Sequence, residues 1–228
     1  RWAAWQVDFE PAGEDHAAPG SSFTVGHELV QKIYHWLQPY YVGYAFVGMG
    51  GRSKISSSAG TTATLASGLE IFEPCVLRWL YTRRAYNQTF EIDYGQGLLR
   101  LYDEWDALAR QVQAGKANEA NQKAYARALA TAEGPLPQTP RPVPFSLLAS
   151  VLDVTQGNVE QVLRIASQYA GTTLQRADLE PRLTCALNWI ERYLPDDERT
   201  QIRASFDEAT YQQLPELDRA GIDLLVER

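Results

Sequence analysis

Lysine is scarce in this chain: of 21 basic residues, 17 are arginine and only Lys32, Lys54, Lys116 and Lys123 are lysine. Cysteine is scarcer still, with Cys75 and Cys185 far apart in 228 residues, which excludes a disulfide framework or a cysteine metal cluster and leaves two free core thiols. The three histidines, His16, His27 and His35, do not stand at metal-ligand spacing, so no metal site is expected. No apolar run approaches the ~20 residues that span a bilayer, and no charged segment followed by an apolar one opens the chain. No membrane association and an intracellular, cytoplasmic location are therefore the expectation. A net charge of −7 gives no general attraction for polyanions, so any nucleic-acid contact requires a local basic face. The motifs GxxxxGK[ST] and GxSxG are both absent, which excludes P-loop nucleotide hydrolysis and a serine-hydrolase elbow.

What is present divides the chain in two. Up to about Gly60, turn-rich "PAGEDHAAPGSS" lies between the aromatic and β-branched runs "WQVDF" and "YYVGYAFVG", which read as short buried strands. Between them "GHELVQKIYHWL" sets Leu29, Val30, Ile33, Trp36 and Leu37 at helical spacing, with His27 and His35 on the solvated face. The result is a β-loop-α-β arrangement of the open α/β kind. After Thr64 the period is helical. Thr64 is placed to cap a helix through "LASGLEIF", and Pro74 suits the first turn of the next. Leu98, Leu101, Tyr102, Trp105, Leu108 and Val112 make one apolar stripe, preceded by "FEIDY", a single strand or an extended arm. Asp103, Glu104 and Asp106 lie opposite that stripe and read as a solvated face, with Arg100 pairing Glu104.

Five prolines from Pro135 to Pro144 make a stiff connector. Helices follow over about Ser146 to Leu152, through Val159, Val162, Leu163, Ala166 and Tyr169, and through Leu183, Leu187, Ile190 and Leu194. A last helix is expected from Ser205, with Glu208 completing a capping box. The fold class is thus mainly α with an N-terminal α/β portion. The chain opens at Arg1 without methionine and closes in the helix-like "GIDLLVER", so it reads as a piece of something longer.

Three features carry chemistry. The stretch "GGRSKISSSAG" reads either as a Gly/Ser linker or as a phosphate loop, because it sits between a strand and a helix and holds one lysine among hydroxyls and backbone N–H groups. His16, beside Asp15 and flanked by small residues, reads as a loop hydrogen-bonder or as a ligand contact. Arg78, Arg83 and Arg84 form the best local basic patch, which complements a helix end or meets RNA.

The segments "VDFEPAGEDHAAPGSS", "YAFVGMGGRSKISSSAG", "FEPCVLRWLYTRR" and "FEIDYGQGLLRLYDEWDAL" follow one another as do the signatures of class I lysyl-tRNA synthetases. The resemblance is dense from Val7 to about Leu108 and thinner beyond. It implies a Rossmann-type catalytic domain ending near residue 62, a helical stem-contact region over 63–134, and a helical anticodon-binding cage over 135–228. It further implies ATP-dependent activation of lysine, with Mg²⁺, and transfer to tRNA(Lys).

On this resemblance "KISSSAG" is the KMSKS loop, with Lys54 catalytic and Arg52, Lys54, Ile55, Ser56, Ser57 and Ser58 binding ATP. His16, Asp15 and Tyr44 line the lysine pocket, and the arginine patch meets tRNA. Three residues depart from the family pattern. Glu14 replaces a lysine, Ser57 holds the fourth loop position, and Ala59 replaces the loop's second lysine. Losing one preorganised donor costs on the order of 3 kcal/mol in a transition state unless Arg52 substitutes for it. A non-catalytic tRNA-binding paralogue and a glutamyl-type synthetase are the alternative readings. No HxGH segment occurs, which implies that the N-terminal half of the catalytic domain is missing. The 228 residues alone are therefore expected to give no lysine-dependent ATP–pyrophosphate exchange, and exchange above background would contradict that reading.

Overall fold

The computed structural model describes residues 1–49, 64–136, 141–202 and 205–226. Its first element is not the strand expected at "WQVDF" but a short helix, α1 (Trp2–Trp5), closed by Gln6 in the left-handed region at φ 51°. The reason is the Trp2 ring, which turns inward against Phe23 at 5.1 Å between centroids. A Cβ on Gly26 would meet that ring at 2.9 Å, so the glycine lets helix α2 (Ser22–Lys32) approach it closely.

Strand β1 (Phe9–Gly13), a 3₁₀ turn (Glu14–Ala17), α2 and β2 (Tyr40–Tyr44) form the expected β-loop-α-β unit, with the two strands parallel and Gly13 opposite Tyr44. Two expectations for this unit fail. Phe9 and Tyr40 on the strands are exposed rather than buried. The helix ends at Lys32, and of its intended stripe only Val30 is buried, while Leu29, Ile33, Trp36 and Leu37 face outward. His35 lies at φ 50°, a conformation that cannot continue a right-handed helix, and no described residue covers the apolar face.

A second parallel pair joins β3 (Val47–Met49) to β4 (Phe90–Ile92), so "FEIDY" is a strand. Between them lie α3 (Leu65–Leu69) and α4 (Pro74–Thr82). Thr64 caps α3 as expected: its hydroxyl accepts from the Ser67 N–H at 3.1 Å, and the Ser67 hydroxyl accepts from the Thr64 N–H at 3.0 Å. Pro74 takes the first helical position of α4, where its missing N–H has no consequence.

Helix α5 (Gln96–Gln113) buries Leu98, Leu101, Tyr102, Trp105 and Leu108 as its spacing predicts. There follow α6 (Glu119–Leu129), α7 (Phe145–Val154), α8 (Val159–Ala170), α9 (Arg176–Leu179), α10 (Arg182–Tyr193), α11 (Glu208–Gln213) and α12 (Glu216–Val226). Two smaller corrections concern α8 and α11. Tyr169 on α8 is exposed, and α11 is capped by Asp207, whose carboxylate accepts from the Thr210 N–H at 3.0 Å, not by Ser205. The described part of the protein is mainly helical, and one hydrophobic core runs from Ile71 to Trp189, on both sides of the proline-rich connector. Cys75 and Cys185 pack against or within it as free thiols, and burial first of all raises them to about 11 and about 12, so neither is a nucleophile at neutral pH.

Inside this core lies an ion cluster that the sequence reading did not find. Glu73, 1 % exposed, accepts from Arg182 Nε at 2.6 Å through one oxygen and from Arg141 Nη2 at 2.7 Å through the other. Arg182 turns its other edge to Asp106 in a two-bond fork of 2.7 and 2.8 Å and donates to the Val143 carbonyl at 3.1 Å. Asp106 is thus not part of a solvated face, and Glu104 pairs with Arg83 rather than with Arg100. A helical stripe shows which side of α5 is apolar, but it cannot show which charge a distant helix brings to its margin.

Burial works against the charge of Arg182, but the hydrogen bonds to Asp106 and the charge of Glu73 outweigh it and hold the guanidinium above its ordinary pKa. Removing one partner would leave uncompensated charge in the interior. Arg182→Met is therefore expected to lower the unfolding free energy by about 3–5 kcal/mol in urea titrations, and a loss below about 1 kcal/mol would contradict the role given to the cluster.

Candidate functional site

Parallel strands put their carboxyl ends on one side, which is where open α/β sheets hold ligands. Here β1 runs out at Gly13 directly into the 3₁₀ turn that carries Asp15 and His16, and β2 brings Tyr44 alongside. These three residues, expected as a lysine pocket, line one cavity of about 460 Å³. The turn is held in place from several directions. His16 Nδ1 and the Ser22 hydroxyl are 2.7 Å apart, the Ser21 hydroxyl donates to the His16 carbonyl, and the Tyr41 hydroxyl donates to the Gly13 carbonyl at 2.9 Å.

The opposite wall comes from the helical part. Tyr81 and Arg84 stand at the end of α4 and just after it, followed by Tyr86, Gln88 and then Phe90 on β4. The two walls are tied together where the Ala45 N–H donates to the Tyr86 carbonyl at 2.8 Å. Arg84 donates to the Leu80 carbonyl at 3.0 Å and lies 4.7 Å over the Phe90 ring, so its guanidinium has a fixed seat. Burial, and then the charge of Arg83, lower its pKa from the ordinary value. A guanidinium still remains fully charged at neutral pH.

The three arginines of the basic patch have different settings. Arg78 donates to the Ala128 carbonyl at 3.0 Å and to the Arg127 carbonyl at 3.2 Å, which satisfies the last turn of α6. Arg83 pairs with Glu104 and covers the Trp79 ring at 4.5 Å. Only Arg84 of the three lines the cavity with Asp15, His16 and Tyr44. The loop residues Arg52, Lys54, Ile55, Ser56, Ser57 and Ser58 lie outside the described residues, between β3 and Thr64. The aromatic wall of Tyr81, Tyr86 and Phe90 was not singled out in the sequence. Its signal is the alternation of rings and arginines in "LYTRRAYNQTF".

Residues 1–134 match the family described as tRNA synthetases class I (K), which is more than half of the chain. This chain belongs to the class I lysyl-tRNA synthetases. A lysine–tRNA ligase of Streptomyces coelicolor is 45 % identical over 229 aligned residues, covering 100 % of this chain and 39 % of the relative. One from Thermococcus kodakarensis is 35 % identical over 86 % of this chain and 39 % of its own length, and one from Borreliella burgdorferi 30 % over 91 % and 40 %. The chain therefore spans about two fifths of the length of the curated synthetases it matches. Among the described residues no cluster of three or more His, Cys, Asp or Glu could hold a metal ion, and no helix is long and apolar enough to cross a membrane.

The turn bearing His16 is sensitive at Gly13, where an added Cβ would come within 2.7 Å of an Asp15 carboxylate oxygen. That oxygen belongs to a flexible side chain, so Gly13→Ala should fold while displacing Asp15 from its place beside the cavity. The expected outcome is an unchanged melting temperature with weakened ligand binding at the cavity; unchanged binding would show that Asp15 does not help shape the site.

Proposed function

We propose that this chain carries part of a lysine–tRNA ligase: the lysine pocket, the ATP loop and the helical tRNA-recognition region of an enzyme that forms lysyl-adenylate and transfers lysine to tRNA(Lys). The observation that carries this reading is the convergence of Asp15, His16 and Tyr44 on one cavity at the carboxyl ends of β1 and β2. The paired strands are then the end of a Rossmann-type catalytic domain, residues 63–134 contact the acceptor stem, and 135–228 form the anticodon-binding cage. In such a pocket Tyr44 and the Asp15 carboxylate meet the lysine side chain, and His16, steadied by Ser22, closes the floor.

The donor set of "GRSKISSS" suits a polyphosphate, with one lysine, one arginine, hydroxyls and glycine N–H groups. Lys54 would stabilise the charge on the ATP phosphates while the lysine carboxylate attacks the α-phosphorus and pyrophosphate leaves. Catalysis of this kind is orientation and electrostatics, without a covalent enzyme intermediate. Mg²⁺ would supply charge neutralisation on the ATP phosphates. The ribose hydroxyl of the tRNA end then takes the lysyl group and AMP leaves. By itself the 228-residue chain is inactive on this reading, because the residues that bind ATP from the other side are not in it.

The test is a chimera in which these 228 residues replace the matching stretch of the S. coelicolor ligase. With tRNA present it should catalyse lysine-dependent ATP–pyrophosphate exchange, and Lys54→Ala should lower the rate on the order of a hundredfold while tRNA binding persists. An inactive but folded chimera would favour the non-catalytic tRNA-binding reading, which the loop residues Ser57 and Ala59 suggest.

A further inference from the structure

We infer that Tyr41 is a positioning residue for the cavity: its hydroxyl, fastened to the last carbonyls of β1, sets the turn that presents Asp15 and His16 to the ligand. That the ligand is lysine rests on the lysine-pocket reading, whereas the placement of the turn does not.

Three observations carry it. Tyr41 stands opposite Glu10 in the β1–β2 register, yet its hydroxyl reaches forward to the Gly13 carbonyl at 2.9 Å and the Ala12 carbonyl at 3.4 Å. A Cβ on Gly43 would meet that hydroxyl at 3.1 Å and the ring at 3.2 Å, so the missing side chain makes room for the reach. Next, the ring is fixed from behind. It packs on Phe23 of α2 at 4.4 Å between centroids, and Phe23 packs on Trp2 at 5.1 Å. A phenol seated in this way has its hydroxyl in place before any ligand arrives, as a residue that acts through others requires. Finally, Gly13 is where the strand hands over to the 3₁₀ turn that carries Asp15 and His16. The far side of the turn is held by the start of α2, through the Ser21 hydroxyl on the His16 carbonyl and the Ser22 hydroxyl 2.7 Å from His16 Nδ1. Tyr41 holds the near side. Burial, and then the charges of Asp15 and Glu14, raise the Tyr41 pKa from its ordinary value, so at neutral pH the hydroxyl keeps its proton and donates.

The test is Tyr41→Phe, which keeps the ring and removes only the donor, with two readouts. The first is long-range ¹H–¹⁵N spectra of the histidine rings in the 228-residue chain at mildly alkaline pH, with His16 assigned by its loss in His16→Gln. The bond to Ser22 should hold the wild-type ring in one tautomer. Tyr41→Phe should give a mixture of both, with His27 on α2 and His35 beyond it unchanged, which a general loosening of the unit would not leave so. Gly43→Ala keeps the hydroxyl but displaces it, so it should give the same mixture and serves where the phenylalanine variant does not fold. The second readout is kinetic: in the chimera with the S. coelicolor ligase, Tyr41→Phe should raise the KM for lysine about tenfold, with kcat and the KM for ATP within about twofold. A His16 signal unchanged in both variants overturns the positioning role, as does a fall in kcat without a change in the KM for lysine. A His16 mixture with an unchanged KM for lysine, or with an inactive chimera, upholds the positioning and counts against the lysine-ligase reading alone.

Discussion

The interaction on which the rest depends is the buried clasp of Arg182 on Glu73 and Asp106. Glu73 immediately precedes α4, Asp106 lies on α5 and Arg182 opens α10, so one guanidinium fixes three helices drawn from both sides of the proline-rich connector. Arg141, on the connector itself, closes the cluster by bonding Glu73 and the Glu180 carbonyl. Two cations and two carboxylates meet in the interior, which is tolerable only because each charge has hydrogen-bonded partners. The ring of Tyr102 packs below, its hydroxyl accepting from the Glu73 N–H at 2.8 Å and donating to the Ile71 carbonyl at 3.1 Å. A charged cluster adds little net stability over an apolar core. What it contributes here is register, because a rotation of α4, α5 or α10 would separate the partners.

That register matters for the site. Helix α4 starts at the clasp and ends at the cavity, so the position of Tyr81 and Arg84 opposite the strand ends is set by an anchor at the far end of the same helix. The site thus has two walls of different origin. One is the βαβ unit, whose own small aromatic cluster of Trp2, Phe23 and Tyr41 is separate from the main core. The other belongs to the helical body. The β3–β4 pairing and the Ala45–Tyr86 hydrogen bond join them.

Much of this was legible in the sequence where the cause is local. Thr64 and Pro74 mark helix starts through capping chemistry, the α5 stripe shows its buried face, and the run "YYVGYAFVG" marks β2, whereas β1 falls one step later than "WQVDF", on Phe9–Gly13, where Pro11 and Gly13 read as turn residues. The motif order pointed to the synthetase family, and the Asp15, His16 and Tyr44 grouping came with it. Where the cause is distant, the reading failed. Asp106 looked solvated because its partner lies on a helix far along the chain, and the Leu29 to Leu37 stripe looked buried although the described chain offers nothing to cover it. The aromatic wall was missed because its rings come from a helix end, a turn and a strand, which share no single period.

The clasp makes the helices on both sides of the connector one unit, and with them the wall of the cavity. Native-state hydrogen exchange at increasing denaturant tests it most directly. The most protected amides of α4, α5, α7 and α10 should converge on one opening free energy. Opening of α7 and α10 in a separate, lower-energy step while α4 and α5 stay protected would contradict it.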